Sequence, residues 1–100
     1  MNPADKFKPG SIAVYSEDGY HLAVEVLADE SNESQEAFKL RVLGILVRSP
    51  FCIAEVGEEF EPWQKREGFH AGRWFLRPIA KWANRSHEHA DLARPYMRDS

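Results

Sequence analysis

The feature that most constrains the fold is a run of apolar residues at period two that follows an Asp18-Gly19 pair. From Tyr20 to Ala28 every second residue is apolar and the residues between them are mixed, which is typical of a strand with one buried face. The preceding run, 11–16, is also rich in strand-forming residues. Because Asp and Gly tolerate the positive φ angles of a tight turn, the two runs are predicted to form a β-hairpin.

Three further strands are predicted downstream of the hairpin. Residues 37–48 form a strand whose alternation breaks at Gly44, where a bulge or a sharp bend is expected. Residues 58–63 contain Pro62, which places that strand at an edge of the sheet or ends it early. Residues 73–77 form the last strand. The pattern therefore predicts five short strands.

The predicted fold class is mostly β, a small five-stranded barrel or half-sandwich with a short C-terminal helix or tail. One hundred residues, 43% of them apolar, support a single core. Five short strands with little helix are typical of a small barrel or half-sandwich. We expect an extended lead-in over residues 1–10, the β-barrel domain over 11–78, and a short helix or flexible tail over 79–100, opened by Pro78 and ended by Pro95.

The order of these signals resembles that of one known group of small barrels. The resemblance is carried by Lys8-Pro9-Gly10 before the first strand, the Asp18-Gly19 hairpin and the closing Trp74-Phe75-Leu76. Over residues 8–78 the layout is similar in outline to SH3-like barrels of the KOW or Tudor kind. The resemblance implies a fold and assigns no functional residue.

Charge is distributed unevenly along the chain. Residues 1–60 carry 5 Lys/Arg and 11 Asp/Glu, whereas residues 61–100 carry 8 and 5, so the formal charges are −6 and +3. The window 63–85 holds six cationic residues, one acidic residue and all three tryptophans. Tryptophan and arginine are enriched among the residues that dominate binding energy at protein interfaces, so this window is the predicted functional surface.

The predicted function is that of a non-enzymatic module that contacts another protein, as an adaptor, inhibitor or accessory factor. Aromatic side chains would anchor the partner, and arginines would form charge-assisted hydrogen bonds with its carboxylates. The partner is another protein or a second copy of the chain, since the acidic half of one copy complements the basic half of another. The predicted contact residues are Trp63, Lys65, Arg66, Phe69, Arg73, Phe75, Arg77 and Trp82.

Single-stranded nucleic acid is the alternative ligand for this surface. Arg73, Phe75 and Arg77 would share one face of the last strand, where cations could follow phosphates and the ring could stack on a base. The sequence pI of 5.8 disfavours a dedicated nucleic-acid binder, which is usually strongly basic. In a third interpretation the window is structural, and its arginines pair with the acidic first half of the chain.

Signals for catalysis, or for a bound metal or cofactor, are weak in this sequence. The carboxylates of residues 58–61 fit a solvated edge strand better than an acid–base pair. Cys52 lies between two apolar residues and is expected to be a buried thiol. His87 and His89 would point to different helix faces and are expected to be solvated rather than metal-bound. A small enzyme that uses Cys52 with a histidine, or paired carboxylates, is the least favoured function, and no cofactor is predicted.

A cytoplasmic location is expected. The chain has one cysteine, so no internal disulfide can form. The first residues lack the apolar segment of a signal peptide. No apolar run approaches the ~20 residues of a membrane helix, so a membrane partner is not expected.

Overall fold

The predicted hairpin begins the sheet of the computed structural model, which describes residues 6–66 and 73–97. Strands β1 (Ile12–Glu17) and β2 (Tyr20–Asp29) pair antiparallel. Asp18 and Gly19 form the turn between them, with φ angles of 48° and 84°. The hairpin prediction is confirmed, and both turn residues adopt the left-handed conformation that an Asp-Gly pair tolerates.

Four more strands and two short helices follow in the described part of the chain. They are β3 (Gln35–Val47), β4 (Glu59–Phe60), β5 (Trp63–Lys65), β6 (Phe75–Pro78), α1 (Ile79–Ala83) and α2 (His87–Ala93), with a 3₁₀ turn at Arg94–Tyr96. The sheet has the order β4-β3-β2-β1-β6, and β5 pairs with the start of β3. All of these pairings are antiparallel.

The mostly β fold class is confirmed. Of the two predicted forms, a five-stranded barrel or half-sandwich, the closed barrel is wrong, and the described sheet has six strands rather than five. Strands β4 and β6 lie at opposite ends of the strand order and do not pair within the described residues, so the sheet of six strands stays open. The predicted strand over 58–63 is divided into β4 and β5. The division falls at Pro62, which has no N–H to donate to a strand ladder.

A buried glutamine links the two edges of this open sheet. Gln64 in β5 is 6% exposed, and its Nε2 donates a hydrogen bond to the Trp74 carbonyl at 2.9 Å. The Trp74 N–H donates to Gln64 Oε1 at 3.3 Å, and Nε2 also donates to Glu36 at 2.9 Å. The side-chain amide therefore takes the place of a partner strand for Trp74, and holds the segment before β6 against β5.

The sheet carries an apolar layer on each face. One layer surrounds Trp74 and consists of Ala13, Tyr15, Leu22, Val24, Val26, Phe38, Leu40 and Val42 with Trp74 itself. The other layer lies under the helices and consists of Val14, Ala23, Leu46, Ile79, Trp82, Ala83 and Ala93. Successive side chains of a strand point to opposite faces of the sheet, so neighbouring residues such as Val14 and Tyr15 belong to different apolar layers.

Strand β3 bends where its alternation breaks. Its register against β2 shifts so that Leu43 and Leu46 have no paired residue, which confirms the bulge predicted beside Gly44. Leu43 and Leu46 pack in the layer under the helices, whereas Ile45 packs in the layer around Trp74. A Cβ at position 44 would overlap the Tyr96 hydroxyl, so glycine permits the 3₁₀ turn to lie against β3.

Gly44→Ala is expected to lower the free energy of unfolding by about 1–3 kcal/mol, because the added methyl group displaces the Tyr96 ring. In a Tyr96→Ala background the same substitution should cost less than about 1 kcal/mol, since the overlap is gone. Urea denaturation of the four chains measures this coupling. An equal cost in both backgrounds would contradict the assigned cause.

The C-terminal segment contains two short helices where one was predicted. Helix α1 begins at Ile79, directly after Pro78, which keeps an extended conformation in β6. Helix α2 begins after Ser86, whose hydroxyl accepts a hydrogen bond from the His89 N–H at 3.0 Å. Pro95 lies in the 3₁₀ turn that follows α2. Together the helices cover the second face of the sheet.

Candidate functional site

Two adjoining concavities lie where β6, β5 and the β1–β2 turn meet. The aromatic groove has a volume of about 430 Å³ and is lined by Tyr15, Glu17, Pro62, Trp63, Gln64, Lys65, Arg73 and Trp74. The cationic cleft has a volume of about 330 Å³ and is lined by Ser16, Glu17, Asp18, Gly19, His21, Arg73, Phe75, Arg77 and Arg85. Glu17 and Arg73 line both.

The two tryptophans of the aromatic groove have opposite exposures. Trp74 is buried, and its ring centroid lies 5.4 Å from that of Tyr15. The Trp74 indole N–H donates a long hydrogen bond of 3.4 Å to the Trp63 carbonyl. Trp63 precedes the inward-facing Gln64 on β5, and it is 61% exposed. The groove therefore combines a fixed aromatic wall with an indole that can cover a bound apolar group.

Lys65 and Arg73 supply the positive charge of the aromatic groove. Both are exposed, and neither forms an ion pair within residues 6–66 and 73–97. Strand alternation places Lys65 on the same side of β5 as Trp63. A ligand that has an apolar group next to carboxylates matches this combination of an indole and two cations.

Glu17 is the acidic residue of the groove, and two tyrosines hold it. Its Oε1 accepts hydrogen bonds from the Tyr15 hydroxyl at 2.5 Å and from the Tyr20 hydroxyl at 3.2 Å. Burial, and then the hydrogen bond to Glu17, raise the pKa of Tyr15. Burial, and then the charge of Glu17, raise the pKa of Tyr20. Both hydroxyls therefore stay protonated at neutral pH and remain donors to this carboxylate.

Three arginines of the segment 73–85 line the cationic cleft. Arg73 precedes β6, Arg77 lies in β6, and Arg85 follows α1. The Arg77 guanidinium lies 4.7 Å from the ring centroid of Phe75, a cation–π contact, and Phe75 is 46% exposed. None of the three arginines forms an ion pair with a carboxylate of the described ranges. The ion pairs that the structural interpretation expects are absent for these three arginines in the described ranges, whereas Arg66 of the same window does lie near Glu36.

His21 lies between the cationic cleft and the helical layer. Its ring centroid is 5.4 Å from that of Trp82, which in turn stacks on His89 at 4.0 Å with an interplanar angle of 3°. Burial lowers the pKa of His21, and the charges of His89 and of two cleft arginines lower it further. His21 is therefore neutral at pH 7, and its surroundings have a positive potential.

The predicted contact residues are divided between the two concavities. Trp63, Lys65 and Arg73 line the aromatic groove. Arg73, Phe75 and Arg77 line the cationic cleft, but β6 begins at Phe75, so Arg73 does not share a strand face with the other two. Phe69 lies outside the described residues.

Trp82 and Arg66 do not lie in either concavity. Trp82 is 0% exposed, which contradicts the prediction that it anchors a partner. The charged residues next to Trp82 in the sequence suggested that its side chain is exposed. However, the apolar face of α1, which includes Trp82, packs against the sheet. Arg66 is half-buried, its Nε donates to the Asn32 carbonyl at 2.7 Å, and its Nη1 lies 3.8 Å from Glu36. The Arg66 guanidinium is thus engaged within the chain.

The two histidines of α2 have different environments. His87 is exposed, whereas His89 stacks on Trp82 and its Nδ1 lies 3.3 Å from the Trp82 carbonyl. The prediction that they occupy different helix faces is confirmed, and the prediction that both are solvated is wrong for His89. Among the residues that the structure describes, no three metal-binding side chains cluster.

The other residues considered for catalysis have structural contacts. Cys52 is half-buried rather than buried, and it packs against the apolar layer around Trp74. Glu59 forms an ion pair of 3.1 Å with Arg41, which also reaches Glu25 at 3.1 Å. Glu59 therefore lies on the edge strand β4 as charged edge residues do, whereas Glu25 lies in the central strand β2.

Sequence reasoning missed several residues of the two concavities. No local sequence pattern indicated that the groove would contain Tyr15, Glu17 and Trp74. The hairpin and the hydrogen bonds of Gln64 bring these residues together from distant parts of the sequence. Arg85 of the cleft lies inside the cationic window 63–85, so its charge was the signal that could have found it.

An exposed apolar loop between β3 and β4 was also missed. Phe51, Ile53 and Val56 are 68%, 92% and 66% exposed. Ser49-Pro50 before this segment and Gly57 after it are breakers, and the apolar run between them is too short to form a buried strand. That combination was the signal for an exposed loop.

Comparison with known protein families, curated proteins and solved structures finds no match for this chain. In the described residues, no helix has the length and apolar character required to cross a membrane. The geometry and chemistry of the two concavities are therefore the features that indicate a function for this protein.

Proposed function

We propose that this protein is a non-enzymatic binding module whose aromatic groove holds an acidic segment of a partner protein. An apolar or aromatic side chain of that segment would pack between Trp63 and Trp74. The observation that carries the proposal is the 61% exposed indole of Trp63 beside the buried indole of Trp74. Tryptophan at the rim of a concave surface is typical of the residues that dominate binding energy at interfaces.

Charge selects the kind of segment that the groove would hold. Lys65 and Arg73 lie beside the indole without acidic partners in the described ranges. Carboxylates of the partner would form charge-assisted hydrogen bonds with them. Such rim contacts are screened by salt, so association should weaken and slow as ionic strength rises.

A second copy of the chain is one form that the partner could take. The first 60 residues have a formal charge of −6, which complements the cations around the groove. The exposed loop with Phe51, Ile53 and Val56 adds apolar area that contact with another molecule would cover. Sedimentation at several salt concentrations tests this version, and a monomer at all of them removes it.

Single-stranded nucleic acid is disfavoured relative to an acidic peptide. The observation that supports nucleic-acid binding is the 46% exposure of Phe75, which lies between Arg73 and Arg77 in the sequence. However, the formal charge of −3 lacks the excess of cations that such binders carry.

Neither a cofactor nor catalysis is part of the proposal, which places the module in the reducing cytoplasm. A single cysteine fits that location. The resemblance to SH3-like barrels stays a prediction, and the proposal does not depend on it.

Trp63→Ala is expected to weaken peptide binding about tenfold or more, because an anchor at an interface contributes about 2 kcal/mol. Peptides for this measurement would come from selection of a random peptide library on the wild-type chain. The selected sequences should combine Asp or Glu with a neighbouring Phe, Trp or Leu. Fluorescence anisotropy of one labelled consensus peptide then gives the dissociation constant for each variant.

Phe51→Ala is the matched control, since Phe51 is an aromatic residue of similar exposure that does not line the aromatic groove. Its dissociation constant should stay within about twofold of the wild-type value. Selection of peptides without acidic residues, or an equal loss in both variants, would contradict the assignment of the groove. Tighter binding of oligothymidine than of any selected peptide would favour the nucleic-acid function instead.

A further inference from the structure

The cationic cleft holds guanidinium groups that lack acidic partners. Elsewhere in the described ranges, Arg41 and Arg94 form ion pairs with carboxylates at 3.1 and 2.8 Å. Arg73, Arg77 and Arg85 form none in those ranges, although they line the same concavity. Their convergence raises the local positive potential without an ion pair to offset it, which is typical of a surface that attracts an anion.

Two acidic residues, Glu17 and Asp18, also line the cleft. Glu17 follows Ser16 in β1, so its side chain points to the opposite face of the sheet, where it accepts the two tyrosine hydroxyls. Asp18 is exposed in the turn. Neither carboxylate comes within ion-pairing distance of a cleft arginine in the described structure.

A hydrogen-bonded pair of polar side chains also lines the cleft beside the arginines. Ser16 is 7% exposed, and its hydroxyl lies 2.6 Å from His21 Nδ1. The lowered pKa of His21 arises first from burial and then from His89, Arg85 and Arg77. Burial is the larger cause of this lowered pKa, and the charges of the two cleft arginines act in the same direction.

We propose that the cationic cleft binds a phosphate monoester carried on an aromatic or other planar group. Arg77 and Arg85 would bind the phosphate oxygens, because guanidinium groups match them with paired, charge-assisted hydrogen bonds. The exposed face of Phe75 would pack against the carrier. The cleft volume of about 330 Å³ lies at the lower end of the range for small-molecule sites. This site adjoins the proposed peptide site and shares Glu17 and Arg73 with it, but Phe75, Arg77 and Arg85 do not line the aromatic groove.

Titration with inorganic phosphate and with phenyl phosphate, followed by NMR, tests the proposal. We expect saturable changes at the Nε–H groups of Arg77 and Arg85, and tighter binding of phenyl phosphate than of inorganic phosphate. The pKa of His21 should rise when the cleft is occupied, because a bound dianion favours the imidazolium form. No saturable change with either compound, or an unchanged His21 pKa at saturation, would overturn the proposal.

Arg85→Gln is expected to weaken the binding of phenyl phosphate about tenfold, since it removes charge-assisted hydrogen bonds. Arg85 is exposed in the turn after α1, so the fold should survive the change. Arg94→Gln is the control because it removes the same charge from another exposed position, and it should change the dissociation constant less than about twofold. An equal loss in both variants would indicate attraction by net charge alone and would overturn the site.

A hexapeptide that carries phosphotyrosine, added in the same NMR assay, distinguishes two sources of the ester. Tighter binding of this peptide than of phenyl phosphate would identify a modified partner protein as the source. Equal affinities would identify a small aryl phosphate. Both results retain the phosphate monoester as the ligand, and weaker binding of both compounds than of inorganic phosphate would overturn the role of Phe75.

Discussion

Trp82→Ala is expected to lower the free energy of unfolding by about 3–5 kcal/mol, the largest effect of any substitution considered for this chain. Trp82 is 0% exposed and is the largest fully buried side chain of the described residues. It packs between the second apolar layer of the sheet and the ring of His89. Its removal leaves a cavity that α1, a helix of five residues, cannot refill by small adjustments.

The polar part of Trp82 contributes little to this expected loss. Its indole N–H has no hydrogen-bond partner within the described residues, so the stabilisation comes from packing. Trp82→Phe should therefore cost only about 1–2 kcal/mol, because much of the ring contact remains and an unpaired donor is removed. Urea denaturation, followed by far-UV circular dichroism, measures all variants.

Trp63→Ala is the control for Trp82→Ala, since it makes the same change at a residue that is 61% exposed. It should change the free energy of unfolding by less than about 1 kcal/mol. Similar losses for the two tryptophans would contradict the division into one core indole and one surface indole. That result would also remove the basis for Trp63 as an anchor of the proposed peptide site.

Gln64→Leu is expected to cost about 2–5 kcal/mol, because it leaves two backbone groups of Trp74 without partners. The Gln64 side chain is 6% exposed, so water cannot readily replace its hydrogen bonds. Loss of this link should also free the segment before β6 and disturb the buried wall of the aromatic groove. Faster amide hydrogen exchange at Trp74 would report that local change.

Gln64→Glu distinguishes the contribution of the hydrogen bonds from that of side-chain shape, because Glu and Gln have nearly the same shape. An ionised carboxylate cannot donate to the Trp74 carbonyl, and it would lie beside Glu36. Protonation restores a donor, so the stability deficit of this variant should shrink as the pH falls through the raised pKa of the new carboxyl. Gln35→Leu is the control, since Gln35 lies at the start of β3 with a half-buried side chain. A deficit as large for Gln35→Leu, or one that does not depend on pH for Gln64→Glu, would contradict the role of the amide.

Much of the sheet could be predicted from the sequence because its signals are local. The Asp18-Gly19 turn depends on the φ angles that two residues tolerate, and the faces of β2 follow from alternation within one strand. The bulge in β3 was also predictable, because the alternation of apolar residues breaks at Gly44 within that strand. Closure of the sheet was not predictable in this way. It depends on whether β4 meets β6, and a side-chain amide from β5 links the sheet edges instead.

The candidate site was predicted in composition but not in arrangement. The window 63–85 indicated aromatic and cationic residues, and Trp63, Lys65 and Arg73 do line one groove. The same window contains Trp82, which is buried, and the sequence had no feature that separated the two indoles. Exposure depends on which other element covers a side chain, and only packing between elements decides that.

The sequence alone therefore determined the hairpin, the strand faces, the bend in β3 and the concentration of aromatic and cationic residues near the C-terminal half. Each of these follows from backbone preference or periodicity over a few neighbouring residues. Only the tertiary structure decided that the sheet stays open, that Gln64 links its edges, and that three arginines converge without acidic partners among the described residues. Those features depend on how the elements pack against one another, since burial and charge are set by three-dimensional neighbours rather than by sequence neighbours.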